Sequence, residues 1–186
     1  EYEIDRSEII KTIQAGREKL VSIQGNAGSG KSVVCKKLLK EKEYVLVTRA
    51  ENLSTGKKVN ELWDCDVEDA ILWLENKPLY IFIDAIEFIA DCGDNAFTLL
   101  QEIYRLADKY SNVYIITSCR TTDSSAFMKI NTKYRIKTYD IPDLAKDEID
   151  KVAKSYPIIL SLQQNKKYSD LLCVPFYINL IESGGF

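Results

Sequence analysis

Five short apolar runs recur along the chain at intervals that leave room for a helix between most of them. LVSIQ (20–24), YVLVTR (44–49), LYIFID (79–84), VYIITS (113–118) and RIKTYD (135–140) are each of strand length. The third and fourth are apolar on both faces, as the middle strands of a covered parallel sheet are. Helical spacing predicts helices over 33–41, 67–76 and 95–110. Asp66 is placed to cap the second, which stops before Pro78. The third carries Phe97, Leu100, Ile103, Tyr104 and Ala107 on one face. Strands alternating with helices in this way predict an α/β sandwich, with helices packed on the sheet.

After Asp140 the pattern changes. IPDLAKDEIDKVAKSY and PIILSLQQNKKYSDLLCVPFYINLIES carry helix signals and no strand signals, with Asp143 and Pro157 as punctuation. The expected organisation is an α/β core over 1–141 and a partial helical lid over 142–186. No internal repeat or low-complexity tract is visible.

Composition narrows the chemistry. The 186 residues are 46% hydrophobic, enough for one domain with a core and a small appendage. The net charge of -3 argues against a broadly basic surface for nucleic acid or membrane. No apolar run has the length of a membrane span, and the polar, acidic start EYEIDRSEII does not read as a signal peptide. That start lacks Met and the end is abrupt, so the expectation is a piece of a longer protein. Cys35, Cys65, Cys92, Cys119 and Cys173 are odd in number and scattered, with no CxxC pair. They are expected to be buried or half-buried side chains of a protein in the reducing cytoplasm. The absence of His excludes Ser-His and Cys-His catalysis within this chain, and His-ligated zinc. Chemistry here falls to carboxylates, Lys, Arg, hydroxyls and a bound metal.

The strongest motif is GNAGSGKS at 25–32, which matches G-x-x-x-x-G-K-[ST] in full. Gly25, Gly28 and Gly30 let the backbone of Asn26, Ala27 and Ser29 turn around an anion, with N–H groups aimed inward. The helix opening at Val33 adds the positive end of its dipole. Lys31 is suited to the β- and γ-phosphates and the Ser32 hydroxyl to Mg²⁺. The flanking apolar strand and amphipathic helix are the context the motif requires. A second signal is LYIFIDAIE. Its strand ends in Asp84, where a P-loop protein keeps the carboxylate that holds Mg²⁺ through water. Glu87, three residues on, is offset as a general base for an attacking water. A third is VYIITSCR, whose strand tip offers Thr117, Ser118 and Arg120 to a γ-phosphate.

In this order, the phosphate loop, hhhhD-x-x-E and hhhhTSxR resemble the STAND class of P-loop NTPases, including the NACHT type. These are signalling ATPases related to the AAA+ class. The resemblance covers most of the chain. It implies a five-stranded parallel sheet of order 5-1-4-3-2, ATP or ADP with Mg²⁺ as ligands, and slow hydrolysis of ATP to ADP and phosphate. It also implies nucleotide-dependent self-association and effector and sensor domains elsewhere in a longer chain. IDRSEI (4–9) is similar to the opening motif of the class, which lies beside the base and places Arg6 there. IPDLAKDEI is similar to the start of the lid, and LLCVPFYINLI to the lid element whose proline, here Pro175, lies by the nucleotide. Three positions depart from the pattern. The common D-x-x-D-E is here Asp84-Ala85-Ile86-Glu87-Phe88. Cys173 stands where the lid usually has Gly, and TSR is lengthened to Thr117-Ser118-Cys119-Arg120.

Four other functions share parts of these motifs. A small-molecule kinase needs an arginine-rich lid, and the segment after Arg120 has no Arg until Arg135. A GTPase needs an NKxD reader, and NKKY at 165–168 lacks the aspartate. A DNA-loading AAA+ ATPase has the same sheet, and a scaffold that binds nucleotide without hydrolysis has the same loop.

Overall fold

A computed structural model describes residues 4–55, 58–91 and 94–183. Its centre is a parallel sheet of five strands: β1 (Leu20–Gly25), β2 (Tyr44–Arg49), β3 (Leu79–Asp84), β4 (Val113–Arg120) and β5 (Lys137–Asp140). Their order across the sheet is β2-β3-β4-β1-β5, the order the resemblance implies read from the other edge. All four ladders are parallel. The strand carrying Thr117 and Ser118 therefore lies between the two that carry the glycine-rich loop and Asp84.

The strands lie where the apolar runs do because successive side chains enter opposite layers. Leu20, Leu79, Ile81, Ile83, Val113 and Ile115 pack into the larger core. That core is covered by α3 (Val67–Trp73), α4 (Asp94–Lys109) and α5 (Met128–Tyr134). Val21, Ile23, Phe82 and Ile116 face the other way, onto α1 (Ser7–Ala15) and α2 (Lys31–Leu39). The predicted face of α4 holds: Leu100, Ile103, Tyr104 and Ala107 are buried, and Phe97 packs against the same core.

Several boundaries differ from the sequence reading. Helix α2 begins at Lys31 rather than 33, because Gly30 sits in the left-handed region (φ 94°) and caps it. Helix α3 ends at Trp73, since Glu75 and Asn76 both take positive φ. Its start is as read, with the Asp66 carboxylate accepting the Asp69 N–H. Strand β5 starts at Lys137 because Arg135, at φ 52°, terminates α5.

Past β5 the chain is helical, as expected: α6 (Lys146–Ser155), α7 (Pro157–Gln163), α8 (Lys166–Leu172) and α9 (Pro175–Glu182). These helices enclose a separate small core of Leu144, Ile149, Val152, Ala153, Ile159, Leu172 and Ile178, with Ile4 packed against it. Among the described residues no helix is long and apolar enough to cross a membrane. Cys35 and Cys119 are buried, and burial pushes both thiols up to about 12. Cys65 and Cys173 are half-buried, and all four are free thiols. Cys92 lies outside the described residues.

Candidate functional site

The site forms at the carboxyl ends of β1, β3 and β4, where the chain leaves the sheet in loops. The turn after β1 is built by backbone chemistry. Ser29 N–H donates to Asn26 O at 3.2 Å, and Gly28 (φ 77°) and Gly30 (φ 94°) take angles that side chains rarely tolerate. The Gly30 carbonyl then accepts the first bonds of α2, from Val33 N–H at 3.0 Å and Val34 N–H at 3.1 Å. A Cβ on Gly30 would meet nothing within 4 Å, so the loop opens to free space there. Ser29 is buried, while Asn26, Ala27 and Gly28 lie exposed.

Lys31 arches back over this loop. Its ammonium donates to the carbonyls of Gly25 and Asn26, each at 2.9 Å. Burial lowers its pKa, the nearby Glu87 carboxylate opposes that, and Arg120 lowers it further. The Asp84 carboxylate also acts on Lys31. The fold therefore brings together Lys31, Asp84, Glu87 and Arg120 from three separate segments. Ser32 follows, exposed at the start of α2.

Asp84 closes β3, and Ser118 of the neighbouring strand holds it. The Ser118 hydroxyl donates to Asp84 Oδ1 at 2.5 Å and accepts the Ala85 N–H at 2.7 Å. Ala85 takes a positive φ of 59°, which turns the chain from β3 into a 3-10 turn (Ile86–Asp91). That turn returns Glu87 to the tip of β4. Glu87 is buried, with Oε2 accepting the Arg120 N–H at 3.3 Å and Oε1 paired with Arg120 Nε at 3.2 Å. The Arg120 guanidinium also lies 5.9 Å from the Phe88 ring centroid. Thr117, the third polar residue expected at this tip, is turned away. It is buried, and its hydroxyl donates to Val21 O at 3.4 Å, since adjacent strand residues face opposite layers.

The chain after β5 reaches the loop directly. Phe176 N–H donates to Gly28 O at 3.2 Å, and the Asn26 side-chain amide donates to Asp143 Oδ2 at 2.9 Å. A Cβ on Gly28 would approach Phe176 Cβ to 2.7 Å, a second reason for glycine there. Arg6 is buried and donates to Pro142 O at 2.9 Å, fastening the N-terminal segment to the chain just past β5. Between the loop and α9 runs a cleft of about 360 Å³. Arg6, Gly28, Ser29, Gly30, Lys31, Ser32, Val33 and Pro175 line it, all of them marked by the sequence. Ile4, Phe176 and Asn179 line it too. Ile4 and Phe176 stand inside or beside the quoted motifs. Asn179 stands inside LLCVPFYINLI (171–181), one turn after Pro175, but the motif marks no role for it.

No cluster of three or more carboxylate or thiol side chains forms a closed metal centre among the described residues. The residues do fit a cation that keeps most of its water, as Mg²⁺ does. Asp84 offers one oriented carboxylate and Ser32 one exposed hydroxyl.

Sheet order and loop together define the fold of the P-loop ATPases. No protein-family model matches the sequence, and no curated protein matches it. Solved structures do share its fold. A Walker-type ATPase of Pyrococcus abyssi superposes with a TM-score of 0.67 at 13% identity, over 98% of this chain and 69% of that one. Yeast (S. cerevisiae) Hsp104 in its ADP complex gives 0.61 at 15%, over 97% of this chain and 30% of that one. AMPPCP-bound DnaA from Aquifex aeolicus gives 0.57 at 15%, over 100% of this chain and 64% of that one. At these identities the likeness concerns the fold.

Proposed function

We propose that the chain is the ATP-binding and ATP-hydrolysing core of a regulatory switch of the STAND class. One observation carries the reading. Lys31, Asp84, Glu87 and Arg120 converge at the mouth of a complete phosphate loop, and a helical lid is bonded to that same loop through Gly28. Two of the proteins that share the fold were solved with ADP or AMPPCP, which supports an adenine nucleotide as ligand.

The roles follow from position. Backbone N–H groups from Gly25 to Val33 receive the phosphates, and Lys31 exchanges its carbonyl partners for phosphate oxygens. Ser32 and Asp84 hold Mg²⁺, which supplies charge neutralisation at the β- and γ-phosphates when bound. Glu87 accepts the proton of the attacking water. Arg120, its partner, places positive charge beside the γ-phosphate position. Arg6 and Pro175 border the base and ribose. The lid, hydrogen-bonded to Gly28 and Asn26, responds to whatever the loop holds, and effector domains of a longer chain would read that response.

Two results are expected. Asp84→Asn keeps the shape and the Ser118 bond but removes the charge. It should weaken Mg²⁺-dependent ATP binding roughly ten- to a hundredfold, the scale of one charge-assisted contact. Calorimetric titrations with and without Mg²⁺ measure this. A Mg²⁺ dependence equal to that of the parent would remove Asp84 from the metal site. A slow switch also retains its product, so protein purified without added nucleotide should release ADP on denaturation. Mass spectrometry identifies what is released, and a guanine nucleotide in its place would contradict the reading.

A further inference from the structure

We infer that Asp143 is a positioning residue for the bound nucleotide: its bond to Asn26 fastens the helical lid (α6–α9) to the phosphate loop and slows release from the cleft between them. The inference rests on the nucleotide reading above and adds what sets the lifetime of the bound state.

Residues 141–144 leave β5 and are held, one after another, by four different parts of the chain. Ile141 N–H donates to Gln24 O of β1 at 2.7 Å. Pro142 O accepts from Arg6 at 2.9 Å. Asp143 Oδ2 accepts the Asn26 side-chain amide at 2.9 Å. Leu144, already part of the lid core, donates its N–H to Cys173 O between α8 and α9 at 2.6 Å. From there the chain returns to the loop, where Phe176 N–H donates to Gly28 O at 3.2 Å. The contacts close a circuit from Asn26 through Asp143, Leu144, Cys173 and Phe176 to Gly28. Its two bonds to the loop are Asn26–Asp143 and Phe176–Gly28.

The residues suit a fastening that opens. Asp143 has no capping task, since Ala145 holds the N-cap position of α6. Its Oδ1 is buried with no hydrogen-bond partner among the described residues, while Asn26 is exposed. A buried carboxylate oxygen without a partner costs free energy, and one hydrogen bond offsets only part of it. The docked lid is therefore held with little to spare. The cleft makes this matter. One wall belongs to the loop and the start of α2, and the other to Pro175, Phe176 and Asn179 of α9. A ligand enclosed between two such walls leaves when they part, and lid opening of this kind sets many release rates.

Two measurements on the whole 186-residue chain test this: exchange of single amide hydrogens without ligand, and the rate of ADP dissociation. Phe176 N–H reports the docking of the lid on the loop. Ile159 N–H, bonded to Tyr156 O inside the lid, reports the lid's own fold. Asp143→Ala should speed both Phe176 exchange and ADP release roughly 2- to 10-fold, the scale of one net hydrogen bond, with Ile159 exchange as in the parent. Asn26→Ala should do the same, and the double variant no more than either single one, because both remove one bond. Asp143→Asn keeps the acceptor and should retain the parent's rates. Asp143→Leu keeps the bulk without the acceptor and should behave as Asp143→Ala. Unchanged Phe176 exchange and ADP release in Asp143→Ala, while Lys31→Ala still abolishes ADP binding, would overturn the role of Asp143 and leave the nucleotide reading standing. Equal acceleration at Ile159 and Phe176 would also overturn it, since Asp143 would then serve only the fold of the lid. Failure of the parent to bind ADP would overturn the nucleotide reading and, with it, the control of release.

Discussion

Replacing Glu87 by Gln is expected to leave ATP bound and to slow its single-turnover hydrolysis by about 10²- to 10⁴-fold, the usual contribution of a general base. The geometry makes this substitution informative. Glu87 is buried at the tip of β4 and held through both oxygens, one by the Arg120 N–H and one by the Arg120 guanidinium. Gln keeps an acceptor for the backbone N–H, so the 3-10 turn after β3 retains its anchor. What it loses is the capacity to take a proton from water. The position after Glu87 is Phe88, whose ring packs near Arg120, so no second acid there replaces the first. Rapid mixing of protein in excess over ATP isolates the chemical step from product release. If the ATP state drives self-association, the variant should also accumulate as oligomer in the presence of ATP, seen by light scattering. Equal single-turnover rates in parent and variant would assign Glu87 a structural role through Arg120.

Much of the fold is legible in the residues, and the parts that are not share a physical reason. The strands announce themselves because Leu79, Ile81 and Ile83 must fill one layer while Phe82 fills the other, so both faces read apolar. The phosphate loop is legible because its backbone angles demand glycine at Gly28 and Gly30. Left-handed turns made by other residues leave no such mark. Glu75, Asn76, Ala85 and Arg135 all take positive φ, and three of the four set or adjoin boundaries that the sequence places elsewhere. Helix α1 overlaps a segment that reads as a nucleotide-side motif, which masks the helical spacing that Ile9, Ile10 and Ile13 carry before Gly16. The partners of the site residues are equally hidden. Ser118 meets Asp84, and Arg120 meets Glu87, only because β3 and β4 pair in the register that sets Ile83 beside Thr117. Register is a property of two strands at once and is not written in either. Asn179 depends on how α9 docks against the loop through Phe176 and Gly28, residues far apart in the chain.

The most direct measurement is the stabilisation that Mg²⁺–ATP or Mg²⁺–ADP confers on the parent chain and on Lys31→Ala. The proposed mechanism makes Lys31 the ammonium group that meets the β- and γ-phosphates. Its Nζ donates to Gly25 O and Asn26 O, so it already lies over the loop that a phosphate would enter. Truncation to Ala frees two carbonyls, one of them on exposed Asn26, where water can take the bond, so the ligand-free fold should survive. The parent should gain about 2.7 kcal/mol of unfolding free energy at a hundredfold excess of nucleotide over Kd, provided the unfolded chain does not bind. The variant, at the same nucleotide concentration, should lose most of that gain while melting as the parent does without ligand. Equal stabilisation of parent and variant, or none in the parent, would contradict the assignment of residues 25–32 as a phosphate-binding loop.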